Sequence, residues 1–111
     1  MAGTYQVVVT NDAKRDINEI LDYLVDQVSY QQAVDARRQI IDCIHKLAEM
    51  PEARSPVREV SEQGKPIIFR QIIAKEAYRI IYRIREIQKN VVIIRVIHVK
   101  RDRGFVKDAL T

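Results

Sequence analysis

Apolar residues recur at intervals of three and four between Ile17 and Met50, then at intervals of two in runs of β-branched residues between Ile67 and Val99. A chain with that switch of period builds its first half from helices and its second from strands, and must bring the two apolar faces together. Ile17, Ile20, Leu21, Leu24, Val25 and Val28 form one helical stripe, with Lys14, Arg15, Asn18, Glu19, Asp22 and Asp26 on the opposite side. Thr10 and Asn11 are suited to cap this helix, and Asp12 favours its positive end. Ser29 can cap a second helix, in which Ala33, Ala36, Ile40, Cys43, Leu47 and Met50 continue the spacing, widened by Ile41, Ile44 and Ala48. Pro51 stops it, having no amide proton to donate. So short a link between two amphipathic helices predicts an antiparallel hairpin. Cys43 falls inside the stripe and reads as a small core residue, and His45 falls outside it and reads as solvated.

Ahead of the helices, Tyr5 to Val9 reads as a short strand. After them PEARSPVREVSEQGKP, with all three prolines of the chain, reads as an irregular connection. Three strands follow, over residues 67–73, 78–87 and 91–100, with turns over 74–77 and 88–90. The expectation is one domain over residues 1–111: an α+β two-layer sandwich with an N-terminal strand, a helical hairpin and a three-stranded antiparallel meander. The period leaves open whether the N-terminal strand joins the meander at an edge or inserts within it.

Arginines interrupt these strands. Side chains alternate faces along a strand, so Tyr78, Ile80, Tyr82 and Ile84 take the side of the helices, and Arg79, Ile81, Arg83 and Arg85 the other. Pairing Ile87 with Val91 would set Arg83 opposite Arg95, and like charges so placed are unfavourable by a few tenths to ~1 kcal/mol. Such an arrangement suits the grip on an anionic or acidic partner. Lys100, Arg101 and Arg103 extend the basic path, and Arg70 can join it from the first strand. Residues 1–55 hold six Lys/Arg against nine Asp/Glu, and residues 56–111 thirteen against six, so the basic charge is concentrated where these strands lie. His98 falls on the core side and reads as a hydrogen-bonded structural residue.

No apolar run approaches the ~18 residues of a membrane span, and the N-terminus lacks the pattern of a secretory signal, so a cytoplasmic protein is expected. A glycine-rich phosphate loop, HExxH and zinc-ligand Cys/His spacings are all absent from the sequence, and no cofactor is expected. Metal-free RNA cleavage needs only a base, an acid and cations for the phosphorane charge.

The strand–helix–helix–strands order, the segment YRIIYRI and the following VVIIRVIHVKRD resemble the RelE/ParE superfamily of type II toxin–antitoxin toxins. The resemblance spans nearly the whole chain and is most specific from Tyr78 to Asp102. It implies a small bacterial toxin of a plasmid-stabilisation module, held by a cognate antitoxin that often carries a DNA-binding domain and can build higher-order complexes with it. RelE-like members cleave messenger RNA in the ribosome, and ParE-like members poison DNA gyrase. For the nuclease branch, Arg79 and Arg101 match two arginines and Arg70 falls where a lysine is common. Ile72 replaces a second lysine, and Lys107 or Phe105 stands where a tyrosine is usual. RVIHVKRD is closer to the ParE pattern, so the resemblance favours a gyrase inhibitor. The alternatives are a ribosome-dependent nuclease and an inactive relative that only binds antitoxin. Partner-binding residues are expected to be Arg79, Arg83, Arg95, Lys100, Arg101 and Arg103, and Tyr23 and Tyr30 near the hairpin turn to line part of an apolar groove for the antitoxin.

Overall fold

The computed structural model describes residues 4–54 and 56–100. Strand β1 (Gln6–Val9) leads into helices α1 (Asn11–Gln27) and α2 (Tyr30–Lys46), then a 3-10 turn (Pro51–Ala53) and strands β2 (Pro56–Glu62), β3 (Lys65–Ala74), β4 (Tyr78–Arg85) and β5 (Asn90–His98). The helices start where the sequence caps them. Thr10 Oγ1 accepts the Ala13 N–H at 3.2 Å, and Ser29 Oγ accepts the Gln32 N–H at 3.1 Å. Each satisfies one amide that the first helical turn leaves unpaired.

The strands form one sheet in the order β1-β5-β4-β3-β2. The N-terminal strand takes an edge and runs parallel to β5, Val7 opposite Val91 and Val9 opposite Ile93, so the sheet is mixed. The meander has four strands where the sequence reading expected three. The proline-rich connection contains β2, paired antiparallel with β3 through Glu59–Ile68 and Val60–Ile67. Pro56 is tolerated as the first residue of β2, an outer strand. Gln63 (φ 51°) and Gly64 (φ 79°) close this hairpin with the positive φ at both positions that a two-residue type I′ turn requires. In the next turn Lys75 (φ 54°) is also left-handed. Its Nζ reaches Asp35 Oδ2 at 2.8 Å and Gln32 Oε1 at 3.0 Å, tying the turn to α2.

Both helices cover one face of the sheet. Ala36, Ile40, Ile44 and Leu47 after α2 meet Ile72, Ile80, Tyr82, Val91, Ile93 and Val96, all buried. Complete burial of each large aliphatic side chain contributes about 1.5–3 kcal/mol. Tyr82 is fully buried, and its hydroxyl donates to the Pro51 carbonyl at 2.6 Å. Burial pushes its pKa up to about 12. Cys43 packs against this core, while His45 is exposed. The stripe of α1 is covered only in part: Ile17, Ile20, Leu21 and Leu24 pack on the core, but Val25 and Val28 are exposed.

Candidate partner-binding site

Residues paired across neighbouring strands share a face, so the register fixes which side chains the helices leave uncovered. Arg79 pairs with Ile73 and Ile97, and Arg83 with Phe69 and Val92. Ile81 lies between them, and Arg58 extends the Arg83 row through Phe69. Phe69, Ile81 and Ile97 form a second buried cluster there, with Ile67 and Ile94 against it. Among the described residues no helix packs on this side. Arg79 Nη1 donates to Gln71 Oε1 at 2.7 Å. Arg83 is half-buried, and its Nε is enclosed with no acceptor. The expected split of β4 into a core side and an arginine side is therefore what the fold contains.

Three expectations about the basic residues change. Arg83 does not face Arg95, because the β4–β5 turn takes in residues 86–89 and pairs Ile84, in place of Ile87, with Val91. A bulge then passes over Ile94 and brings Arg95 opposite Ile81. Arg95 is drawn instead to α1, with Nε 2.7 Å and Nη2 2.9 Å from the Asp16 carboxylate. These hydrogen bonds raise the Arg95 pKa further above its ordinary value. Arg70 points to the side of the helices, because it pairs with Tyr82, and its Nη1 donates to the Arg54 carbonyl. Lys100 lies exposed just past β5, and Arg101, Arg103, Phe105 and Lys107 lie outside the described residues.

A groove of about 580 Å³ runs between α1 and the end of β5, lined by Asp16, Glu19, Tyr23, Tyr78, His98 and Lys100 among others. It exists because β1 ends at Val9, opposite Ile93, and α1 flanks the rest of β5. Asp16 Oδ2 accepts the Val96 N–H at 2.9 Å, so a side chain substitutes for a strand neighbour at that edge. The His98 ring stands edge-on to Tyr78, 5.4 Å between centroids, and its Nδ1 accepts the Lys100 N–H at 3.1 Å. Burial raises the Tyr78 pKa. Tyr23 lines this groove, and the exposed Tyr30 is not in its lining. Sequence reasoning missed Asp16. Its signal is an acid at the helical spacing of Ala13, Ile20 and Leu24, on a stripe where a lone carboxylate needs a cation.

Among the described residues no cluster of His, Cys, Asp or Glu is placed to hold a metal ion, and no described helix is long and apolar enough to cross a membrane. Residues 7–103 match the family model described as the ParE toxin of type II toxin–antitoxin systems, parDE. The chain belongs to this ParE toxin family. No curated protein matches it significantly. Among solved structures it is similar to a chain of the chromosomal ParDE system from P. aeruginosa, with TM-score 0.68, 18% identity, and coverage of 89% of this chain and 100% of that one. It is also similar to a chain of the RelBE2 toxin–antitoxin complex from Mycobacterium tuberculosis (TM-score 0.54, 22% identity, 86% and 98% covered). A third likeness is to a chain of the archaeal RelE–RelB complex from Pyrococcus horikoshii OT3 (TM-score 0.53, 16% identity, 89% and 99% covered). At these identities the likeness is one of fold, and the fold is that of ParE- and RelE-type toxins.

Proposed function

We propose that the chain is the toxin of a toxin–antitoxin pair, that it acts on DNA gyrase by binding, and that a cognate antitoxin neutralises it. The observation carrying the choice of target is the separation of Arg70 from Arg79. Arg70 faces the helical layer beside Tyr82, and Arg79 faces the opposite side of the sheet beside Ile73 and Ile97. A ribonuclease of this fold requires its cations around one phosphate, because catalysis there is electrostatic stabilisation of a single phosphorane. Two cations on opposite faces do not converge on one phosphate. That takes from Arg79 one of the two cations the cleavage reading gave it, Arg101 lying outside the described residues, and favours a surface that binds.

The family match to ParE and the likeness to chains from antitoxin complexes support the antitoxin partner. Cytoplasmic residence accompanies this reading, since gyrase is there. The test is controlled expression in bacteria with two readouts taken together, plasmid supercoiling and the integrity of translated messages. Growth arrest with loss of supercoiling and intact messages is the expected result. Arrest with cut messages and normal supercoiling would replace this reading with the nuclease, and harmless accumulation of folded protein would replace it with a binding-only relative.

A further inference from the structure

Each helix carries a second apolar row that the sheet does not use. In α2 the buried residues turned to the sheet include Ala36, Ile40 and Ile44. Arg37 and Ile41 stand one position on from the first two, about 100° around the helix, and complete a row with Tyr30 and Val34. In α1, Leu21 and Val25 stand one position on from Ile20 and Leu24 in the same way, and Val28 continues that row. The opposite flank of α1, with Glu19 and Tyr23, lines the groove beside β5, and the opposite flank of α2, with Gln32 and Asp35, is tied to Lys75. The two rows therefore run side by side along the outer side of the α1–α2 contact. Val25, Val28 and Tyr30 are 51%, 57% and 73% exposed, so the chain itself leaves the rows uncovered. Alternating intervals of three and four are what one helix presents to another.

The charges beside the rows identify the helices that cover them. Asp22 and Asp26 flank the α1 row and Arg37 stands in the α2 row; all three are exposed, and among the described residues none has an ion-pair partner. Counted from Ser29, Asp22 lies seven residues back and Arg37 eight residues on, which puts them at about the same height on the hairpin. A two-fold axis parallel to the helices keeps every height and lays α1 of one copy along α2 of the other. It sets Asp22 of each copy against Arg37 of the other, and Val25 against Val34. Helices of 17 residues are about 25 Å long and two together about 20 Å across, a face of the size from which specific dimers bury ~800 Å² per partner. We infer that the outer face of the hairpin is the contact between two copies of this chain, a four-helix junction closed by reciprocal Asp22–Arg37 pairs. The inference stands apart from the choice of gyrase as target.

The test is sedimentation equilibrium of the purified full chain over concentrations of about 1–100 μM. The expected result is a reversible dimer, with the mass rising from the 12.9 kDa of one chain towards that of two. Asp22→Arg and Arg37→Glu should each weaken the dimer about tenfold or more, because each sets like charges together twice. Combining them exchanges the two charges and should return the dissociation constant to within about threefold of the parent. Val25→Gln should weaken the dimer about tenfold, whereas Tyr23→Gln, on the opposite flank of α1, should change it by less than about twofold. All these positions are exposed, so circular dichroism should find every variant folded. A monomer at every concentration would overturn the inference and leave the rows to a helix of another protein. A dimer indifferent to Asp22→Arg and Arg37→Glu, or one that the double exchange does not restore, would overturn it as well.

Discussion

Replacing Asp16 with alanine tests how the helical layer is fastened to the sheet. Its carboxylate accepts two hydrogen bonds from Arg95, at 2.7 and 2.9 Å, and one from the Val96 N–H at 2.9 Å. The Asp16 side chain is 10% exposed and that of Arg95 23%. Removing one partner of a buried pair costs about 3–5 kcal/mol, mostly from the charge left behind. Water already reaches part of Arg95, which lowers the expectation, and the orphaned Val96 amide raises it again. The net loss expected for Asp16→Ala is about 2–4 kcal/mol. Urea or thermal unfolding should show it, with Tm falling on the order of 10 °C for a domain of this size. Asp16→Leu/Arg95→Met removes both charges together and should recover part of the loss, because no charge then remains buried without its partner, although the Val96 N–H still lacks the Asp16 acceptor. A loss below about 1 kcal/mol for Asp16→Ala, or a double variant as destabilised as the two singles added, would refute the reasoning.

Three further outcomes follow from local features. The Lys75 ammonium and the Arg38 guanidinium hold the Asp35 carboxyl at about 2, below its ordinary value of 3.8. Its stabilising effect is complete above the ordinary value and disappears as pH falls from 3.8 to about 2. Acid-unfolding curves of the parent and Lys75→Met should therefore converge below that window and separate above it, and parallel curves would refute the assignment. Tyr82, with its pKa raised to about 12, keeps the fold stable while neutral. That contribution is lost as pH rises from about 10 towards 12, so its ultraviolet titration should coincide with alkaline unfolding. Gly64 sits at φ 79° in open space, so Gly64→Ala should cost about 1 kcal/mol in urea unfolding through the backbone alone.

Local rules were enough for the helices, because Thr10 and Ser29 cap by contacts with residues three positions on. They were also enough for the two faces of β4, where strict alternation separates Tyr78, Ile80 and Tyr82 from Arg79, Ile81 and Arg83. They failed where pairing decides. Strand β2 is hidden behind Pro56, which is tolerated as the first residue of an outer strand, a position only the finished sheet reveals. The β4–β5 register was misread because Ile87 looks like a strand residue, although it is 94% exposed in the turn. The bulge over Ile94 has no local signature in the sequence. Arg95 looked like part of a cationic row, yet its carboxylate comes from 79 positions away in the chain. The basic face survives in reduced form, centred on Arg79 and Arg83, with Arg95 spent on the junction with α1.

The most direct measurement of the toxin account is supercoiling of relaxed plasmid by purified gyrase with increasing amounts of the purified chain. The account predicts that supercoiling is lost and that gyrase-dependent cleaved plasmid accumulates. Full supercoiling at a large molar excess of correctly folded chain would contradict it.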